Sequence, residues 1–371
     1  MKVINVNFDN NRYSIYLKRG VIENISNLLT QKTENKKVII VADKVFRDSV
    51  VKKVIKLLDN FEIYIHFMEA GKANKNIKEA TEIYSILEKN NIARDSTLIA
   101  IGGGVIGDLA GFVASTWYRG MNLVHIPTTL MAMVDSSVGG KVAINFGNTI
   151  NAIGNYYHPI FTLMDLTLID TLSNRDYSSG IAESIKCAII SDRDFFNQLS
   201  QDSQKILSKE RQAVEDFIYK TINIKIAHVQ GDIKENNKRL LLNYGHTLGH
   251  AIEVSTATDY KEYYRHGEGV SLGIMAVAYI AQKHLNLSSN LYNLFEQIFQ
   301  KYNLPIRVYA HKIGIDRDTL IEKCMQNIQK DKKRVSNHLR IILVKSIGEA
   351  KVYSDIPIAL IKEAFEHIIK D

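Results

Sequence analysis

The sequence predicts an α/β unit built on a mostly parallel sheet, followed by a mainly α-helical unit, with the change near residues 171–175. Three observations predict it. Between residues 37 and 165, short apolar runs alternate with helical periods, the order that lays strands side by side in parallel. Within that region two glycine-bearing turns follow apolar strands, at Gly102-Gly103-Gly104 and at Val138-Gly139-Gly140. From about Tyr177 strand-like runs nearly vanish and long helical periods take over. The expected units are residues 1–174 and 175–371.

In chain order, residues 1–20 alternate as a hairpin around Asp9-Asn10-Asn11, and a helix-like stretch follows at 21–29. Residues 37–43 are a continuous apolar strand ending in Asp43. This acid suits either a nucleotide ribose or the cap of a helix running from Val45 to Leu57. A strand at 61–67, a loop at 69–76 and a helix at 77–89 lead to the run Thr97-Leu98-Ile99-Ala100-Ile101. That run breaks into three glycines and continues as a helix from Val105 to Ala114, so free N–H groups at a helix start face any phosphate brought there. Asp108 is expected in the first turn, able to favour the helix or to meet a hydroxyl. A strand at 122–126 ends in Pro127-Thr128-Thr129, two hydroxyls just past a strand's carboxyl end, where open α/β sheets bind ligands. Asp135-Ser136-Ser137-Val138-Gly139-Gly140-Lys141 is the second glycine turn, with a carboxylate and an ammonium, and a strand at 159–165 closes this half. Either turn alone could be only a tight connection; together they favour a nucleotide or phosphate site. Helical periods then cover 180–190, 210–230, 246–255, 267–284 and 291–301, with a late strand pair near 340–344 and 350–353.

Composition narrows the function. With 46% hydrophobic and 23% charged residues over 371, this is a globular composition with room for two cores. The excess of 47 Lys+Arg over 40 Asp+Glu is scattered, unlike the clustered, aromatic-laced basic patch of a nucleic-acid binder, and it suits a small anionic substrate. Cys187 and Cys324 stand far apart, the first residues lack a signal peptide's apolar core, and no run reaches a membrane span. A cytoplasmic protein with no nucleic-acid or membrane partner is expected.

The second half carries the chemistry. Asn243-Tyr244-Gly245-His246-Thr247-Leu248-Gly249-His250 puts two histidines on one helical face, His266 opens His266-Gly267-Glu268, and Glu183 and Lys186 lie three apart. Two imidazoles and a carboxylate suit an open divalent-metal site. The spacing alone equally allows packed or capping histidines, and the H-E-x-x-H acid is absent. Lys225, Arg239, Asn243 and the Asp331-Lys332-Lys333 run offer further donors, the last equally well a solvated loop.

In order along the chain, GGGVIGDLAGFVAS, YRG, PTTL, DSSVGGK, AESIK and NYGHTLGHAIE with HGE resemble the 3-dehydroquinate synthases, a family of sugar phosphate cyclases. The resemblance runs from about Asp43 to Gly348. It implies an NAD-binding first domain, a metal- and substrate-binding second domain, and an active site in the cleft between. It further implies zinc, or cobalt, on Glu183, His246 and His266, with His250 as a substrate or proton-transfer contact. NAD would meet Asp43, Gly71, Lys75, Gly104, Val105, Ile106, Gly107, Asp108, Thr128, Thr129, Lys141 and Thr171. Substrate would meet Asp135, Lys141, Asn151, Lys186, Lys225, Arg239, Asn243, His250, Lys332 and Lys333, with Arg119 reaching into a partner's site and so implying a homodimer. The implied reaction takes 3-deoxy-D-arabino-heptulosonate 7-phosphate through transient oxidation of its C5 alcohol by NAD and loss of phosphate. Return of the hydride and intramolecular aldol closure then give 3-dehydroquinate.

Departures from the family pattern are Ile150 in place of a lysine, Lys72 after Gly71 in place of an acid, Val142-Ala143, Cys187-Ala188, and a longer gap from His246 to His266. Ile150 removes a charge-assisted contact worth roughly 1.5–3 kcal/mol. A sister cyclase with another substrate is the alternative it motivates. An NAD-dependent metal alcohol dehydrogenase and a non-catalytic binding protein are further alternatives.

Overall fold

The computed structural model describes residues 1–8, 11–69, 71–147, 149–258, 262–334 and 339–371, and for 330–334 the backbone alone. It divides into two compact units, Met1–Ser173 with Lys225–Lys234, and Asn174–Ile224 with Glu235–Asp371.

The first unit is built on a seven-stranded sheet. Its strands are β1 (Lys2–Phe8), β2 (Asn11–Lys18), β3 (Lys37–Asp43), β4 (Glu62–Met68), β5 (Thr97–Gly102), β6 (Asn122–Pro127) and, after a separate hairpin of β7 (Lys141–Phe146) and β8 (Thr149–Tyr156), β9 (Phe161–Asp165). The order is β1-β2-β9-β6-β5-β3-β4, and every pairing except β1 with β2 is parallel. Leu98 to Ile101 are at most 2% exposed, as expected for a central parallel strand covered on both faces. Its neighbours β3 and β6 connect onward in opposite directions, so the carboxyl ends of β3 and β5 flank the point where the strand order reverses. Open α/β sheets bind ligands in that crevice.

The unit's helices are α1 (Ile25–Lys32), α2 (Lys52–Leu57), α3 (Ile77–Lys89) and α4 (Gly104–Thr116). Asn76 caps α3 by accepting the Glu79 N–H at 3.1 Å, and Ala80, Ile83 and Leu87 turn its apolar face to the core formed with Leu98, Leu109, Val113 and Leu123. The expected helix from Val45 to Leu57 is instead a 3-10 turn, a π turn at Arg47–Val51 and the short α2. The wider turn lets consecutive Val50 and Val51 both face inward. The β7–β8 hairpin, which follows the second glycine turn and has no counterpart among the elements expected from sequence, is another difference. Its β8 is exposed along nearly its whole length, so it carries no inside–outside alternation to read.

The second unit is helical: α5 (Asn174–Ser191), α6 (Arg193–Gln201), α7 (Ser203–Leu207), α8 (Arg211–Val229, whose last turn groups with the first unit), α9 (His246–Thr256), α10 (His266–Leu285), α11 (Ser289–Lys301), α12 (Ala310–Ile313), α13 (Arg317–Arg334) and α14 (Ile358–Ile368). A strand pair, Ile341–Val344 with Ala350–Tyr353, matches the late strands expected from sequence. Residues 177–190 of α5 are buried without a break, and α10 packs against α5, α9 and α14. Among the described residues no helix is long and apolar enough to cross a membrane.

Candidate active site

Three helices bring the expected metal ligands together. Glu183 comes from the buried middle of α5, His246 opens α9 and His266 opens α10, and one ligand atom from each lies within 4.8 Å of the others. The Nε2 atoms of His246 and His266 stand 3.5 and 3.6 Å from Glu183 Oε1, and the two rings meet edge to face at 5.3 Å.

Several contacts hold His266 at that corner. Gly267 donates its N–H to Ser179 Oγ at 3.0 Å, and a Cβ at this glycine would lie 1.8 Å from the Ser179 carbonyl, so only glycine lets α10 start against α5. Glu268 accepts the Arg265 N–H at 2.8 Å, reaching back to the residue before the helix, and takes a two-pronged ion pair from Arg175 at 2.7 Å. Nothing in the sequence marks Arg175 or Ser179 for this role. A glutamate in the first turn, two residues after His266, is the signal that points to this helix start.

The donor set fits a divalent cation. Glu183 is 1% exposed, and although Lys186 ion-pairs with it, neither carboxylate oxygen accepts a well-aligned hydrogen bond among the described residues. A buried carboxylate with open lone pairs requires a positive partner. Burial alone would raise its pKa; Lys186, His246 and His266 instead hold it well below the usual carboxylate range. For the His266 imidazole, burial works downward, but the flanking Glu253 and Glu183 push it up to about 10. Two carboxylates, Glu183 and Glu253, flanking the imidazoles are the charge a divalent cation would meet there. A second group, His66, Glu79 and Glu82, differs: His66 Nε2 already meets Glu79 at 2.9 Å and Glu82 is exposed.

In the same unit, His250 lies one turn beyond His246 on α9 and is half-buried. Arg239 is 2% exposed in the turn Lys238–Asn243, and Asn243 donates from Nδ2 to Glu235 at 2.7 Å. Glu235 went unread in the sequence because it sits in a run of exposed polar residues with no motif of its own.

In the first unit three of the expected ligand-binding residues form one cluster around buried Lys75, with Asp108 half-buried and Asn151 exposed. Lys75, 6% exposed, ion-pairs with Asp108 and donates to Asn151 Oδ1 at 2.6 Å. Burial raises the Asp108 pKa, with Lys75 pulling it back down. Asp108 lies beyond the first turn of α4, which starts at Gly104; the expectation of a first-turn acid is corrected, because the helix begins at the third glycine with no acid in that turn. No side chain caps α4, and Thr128, 1% exposed, has a hydroxyl without a partner among the described residues. An open helix start and an orphaned buried hydroxyl, next to the reversal point of the sheet, fit a phosphate-bearing cofactor.

The other expected contacts are placed as follows. Gly71 is at φ 134°, a value that favours glycine, and Thr129 Oγ1 accepts the Ala132 N–H at 3.1 Å. Gly104, Val105, Ile106 and Gly107 form the first turn of α4. Asp43 caps its own turn, accepting the Val45 N–H at 3.1 Å, and Thr171 donates to the Leu168 carbonyl at 2.7 Å. Asp135 sits in a π-helical turn, Ala132–Ser136, and ion-pairs with buried Lys225, while Lys141 is exposed at the start of β7. Ile150 is 37% exposed beside Asn151. Tyr118 and Arg119 are exposed and both at positive φ, 47° and 64°. The Lys332 and Lys333 side chains lie outside the described residues.

Family models for the N-terminal and C-terminal parts of 3-dehydroquinate synthase match residues 65–179 and 180–334. The 3-dehydroquinate synthase of Desulforamulus reducens is 35% identical over 96% of this chain and 97% of its own, and that of Prochlorococcus marinus 36% identical over 95% of each. Among solved structures, a 2-deoxy-scyllo-inosose synthase complexed with carbaglucose-6-phosphate, NAD+ and Co2+ shares the fold at a TM-score of 0.88 and 23% identity, covering 99% of this chain and all of that one. The 2-epi-5-epi-valiolone synthase of Streptomyces hygroscopicus, with NAD+ and Zn2+ bound, does so at 0.84 and 21%, over 98% of each chain. Two family models spanning well over half the sequence, near-complete relatives above 30% identity, and a Glu-His-His group in the second unit lead to one conclusion: the chain belongs to the 3-dehydroquinate synthase family.

Proposed function

We propose that this protein is a 3-dehydroquinate synthase, releasing phosphate from 3-deoxy-D-arabino-heptulosonate 7-phosphate and closing the remaining chain to 3-dehydroquinate. The observation that carries the reading is the buried Glu183 with its open lone pairs between His246 and His266, next to Lys186. Bound NAD supplies a reversible hydride acceptor, and a divalent cation on Glu183, His246 and His266, zinc or cobalt, supplies a Lewis acid.

The chain's own residues bind and orient. The open start of α4 and the Thr128 hydroxyl would hold the cofactor's phosphates, while Lys75 orients Asp108 and Asn151. Lys186, Lys225 and Arg239 are buried cations, suited to a substrate bearing a carboxylate and a phosphate. Asn243, aligned by Glu235, and Asp135, aligned by Lys225, meet substrate hydroxyls, and His250 gives or takes a proton at one of them. In this reading residues 1–174 serve the cofactor and residues 175–371 the metal and most of the substrate.

A homodimer belongs to the same proposal. Arg119 stands on a strained, exposed turn, and β8 exposes Ile150, Ile153 and Tyr156 at 37% each, surface suited to a second copy. A cytoplasmic location agrees with two buried cysteines that form no disulfide.

Ile150 supports one competing reading, a sister cyclase with another sugar phosphate. Phosphate release from the heptulosonate phosphate with NAD and zinc, with the product identified, separates the two. Rapid turnover to 3-dehydroquinate is expected; metal-loaded, folded protein that leaves this substrate untouched would favour the sister reaction.

A further inference from the structure

Each histidine of the metal group has a partner at its far ring nitrogen, and the two partners differ in charge. His246 Nδ1 faces the Tyr244 carbonyl at 3.2 Å, a neutral acceptor. His266 Nδ1 faces Glu253 Oε1, also at 3.2 Å, a carboxylate. Glu253 lies on α9 two helical turns after His246 and is 6% exposed. The opposing helix makes room for it: a Cβ at Gly269 would lie 2.5 Å from both Cγ and Oε1 of Glu253. A glycine one turn into α10 is therefore what allows a buried carboxylate to stand behind His266.

We propose that Glu253 is a positioning residue for the metal: it accepts the Nδ1 proton of His266, leaving the Nε2 lone pair directed at the cation, and its charge makes that nitrogen a stronger donor. A hydrogen bond to one ring nitrogen decides which tautomer is present, and a carboxylate behind a ligating histidine typically changes metal affinity 10–100-fold. The inference rests on the reading of Glu183, His246 and His266 as a metal centre.

The test is zinc affinity of the full-length protein by competition with a chromophoric chelator, with thermal melting measured alongside. Glu253→Gln keeps the shape and an acceptor oxygen but removes the charge. It should raise the zinc Kd 10–100-fold with the melting temperature nearly unchanged. Gly269→Ala, which crowds Glu253 without altering its chemistry, should weaken zinc in the same direction. Wild-type affinity in Glu253→Gln overturns the proposal. So does a loss as complete as that of His266→Ala, which would make Glu253 a direct ligand. If wild-type protein and His266→Ala bind zinc alike, the metal centre itself is misassigned, an outcome distinct from the failure of Glu253 alone.

Discussion

A carboxylate as buried as Glu183 destabilises a fold unless something positive meets it, and here Lys186 supplies one charge while two imidazoles face the other oxygen. The arrangement predicts that His266→Ala loses bound metal and activity while keeping the circular dichroism of the helical unit; full metal content in that variant, measured by elemental analysis, would refute the ligand set. A second titratable group reports on the first unit. His125 on β6 is 6% exposed, and burial lowers its pKa to about 4. Between pH 6.5 and about 4 the unfolded chain therefore takes up a proton that the folded chain refuses. Stability falls as the pH drops through that window, by up to about 3 kcal/mol from this residue. Urea unfolding at pH 7.5 and pH 5 should show the loss, and His125→Leu should flatten it; an equal slope in the variant would mean the imidazole is hydrated. The glycine turns were legible in the sequence, whereas the histidine spacing alone left packing and capping roles open and only the family resemblance picked out Glu183, His246 and His266 as candidate ligands. Glu235 and Arg175 were not legible, since a charged residue in a polar run gives no sign of which partner it will find.

At the level of helices, the metal corner depends on how closely α10 can start against α5. Gly267→Ala should push the two apart, costing about 1–3 kcal/mol or more. It should also lower metal retention, because His266 moves with the helix start; calorimetry and metal content check both. An unchanged melting temperature would show that the contact with Ser179 relaxes easily. Amphipathic elements such as α3 were predictable from periodicity, since one face is buried and one is not. The β7–β8 hairpin was not, because β8 is exposed along nearly its whole length. The start of α4 was shifted for a similar reason: three successive glycines fit turn and helix alike, and the third became the helix's first residue.

For the assembled protein, the proposed dimer makes a prediction that neither chain can satisfy alone. If Arg119 serves the partner's site, Arg119→Ala and His266→Ala should each be inactive, and co-expression should restore about a quarter of wild-type activity through mixed pairs. No recovery would place Arg119 in its own chain's site. Ile150→Lys addresses affinity: a tighter substrate or NAD complex by a factor of ten or more is expected if the missing ammonium is merely tolerated. Equal affinity would show that another cation already compensates. The amino-acid sequence by itself determined the alternation of strands and helices in the first half, the long helical periods of the second, and the residue types able to ligate a cation, because these follow from local periodicity and functional-group identity; it was the family resemblance that singled out Glu183, His246 and His266 among them. Only the tertiary structure decided which charges meet. Lys75 with Asp108 and Asn151, Glu253 with His266, and Arg175 with Glu268 are separated by 13 to 93 positions, and such pairs form only when packing brings distant segments within hydrogen-bond reach.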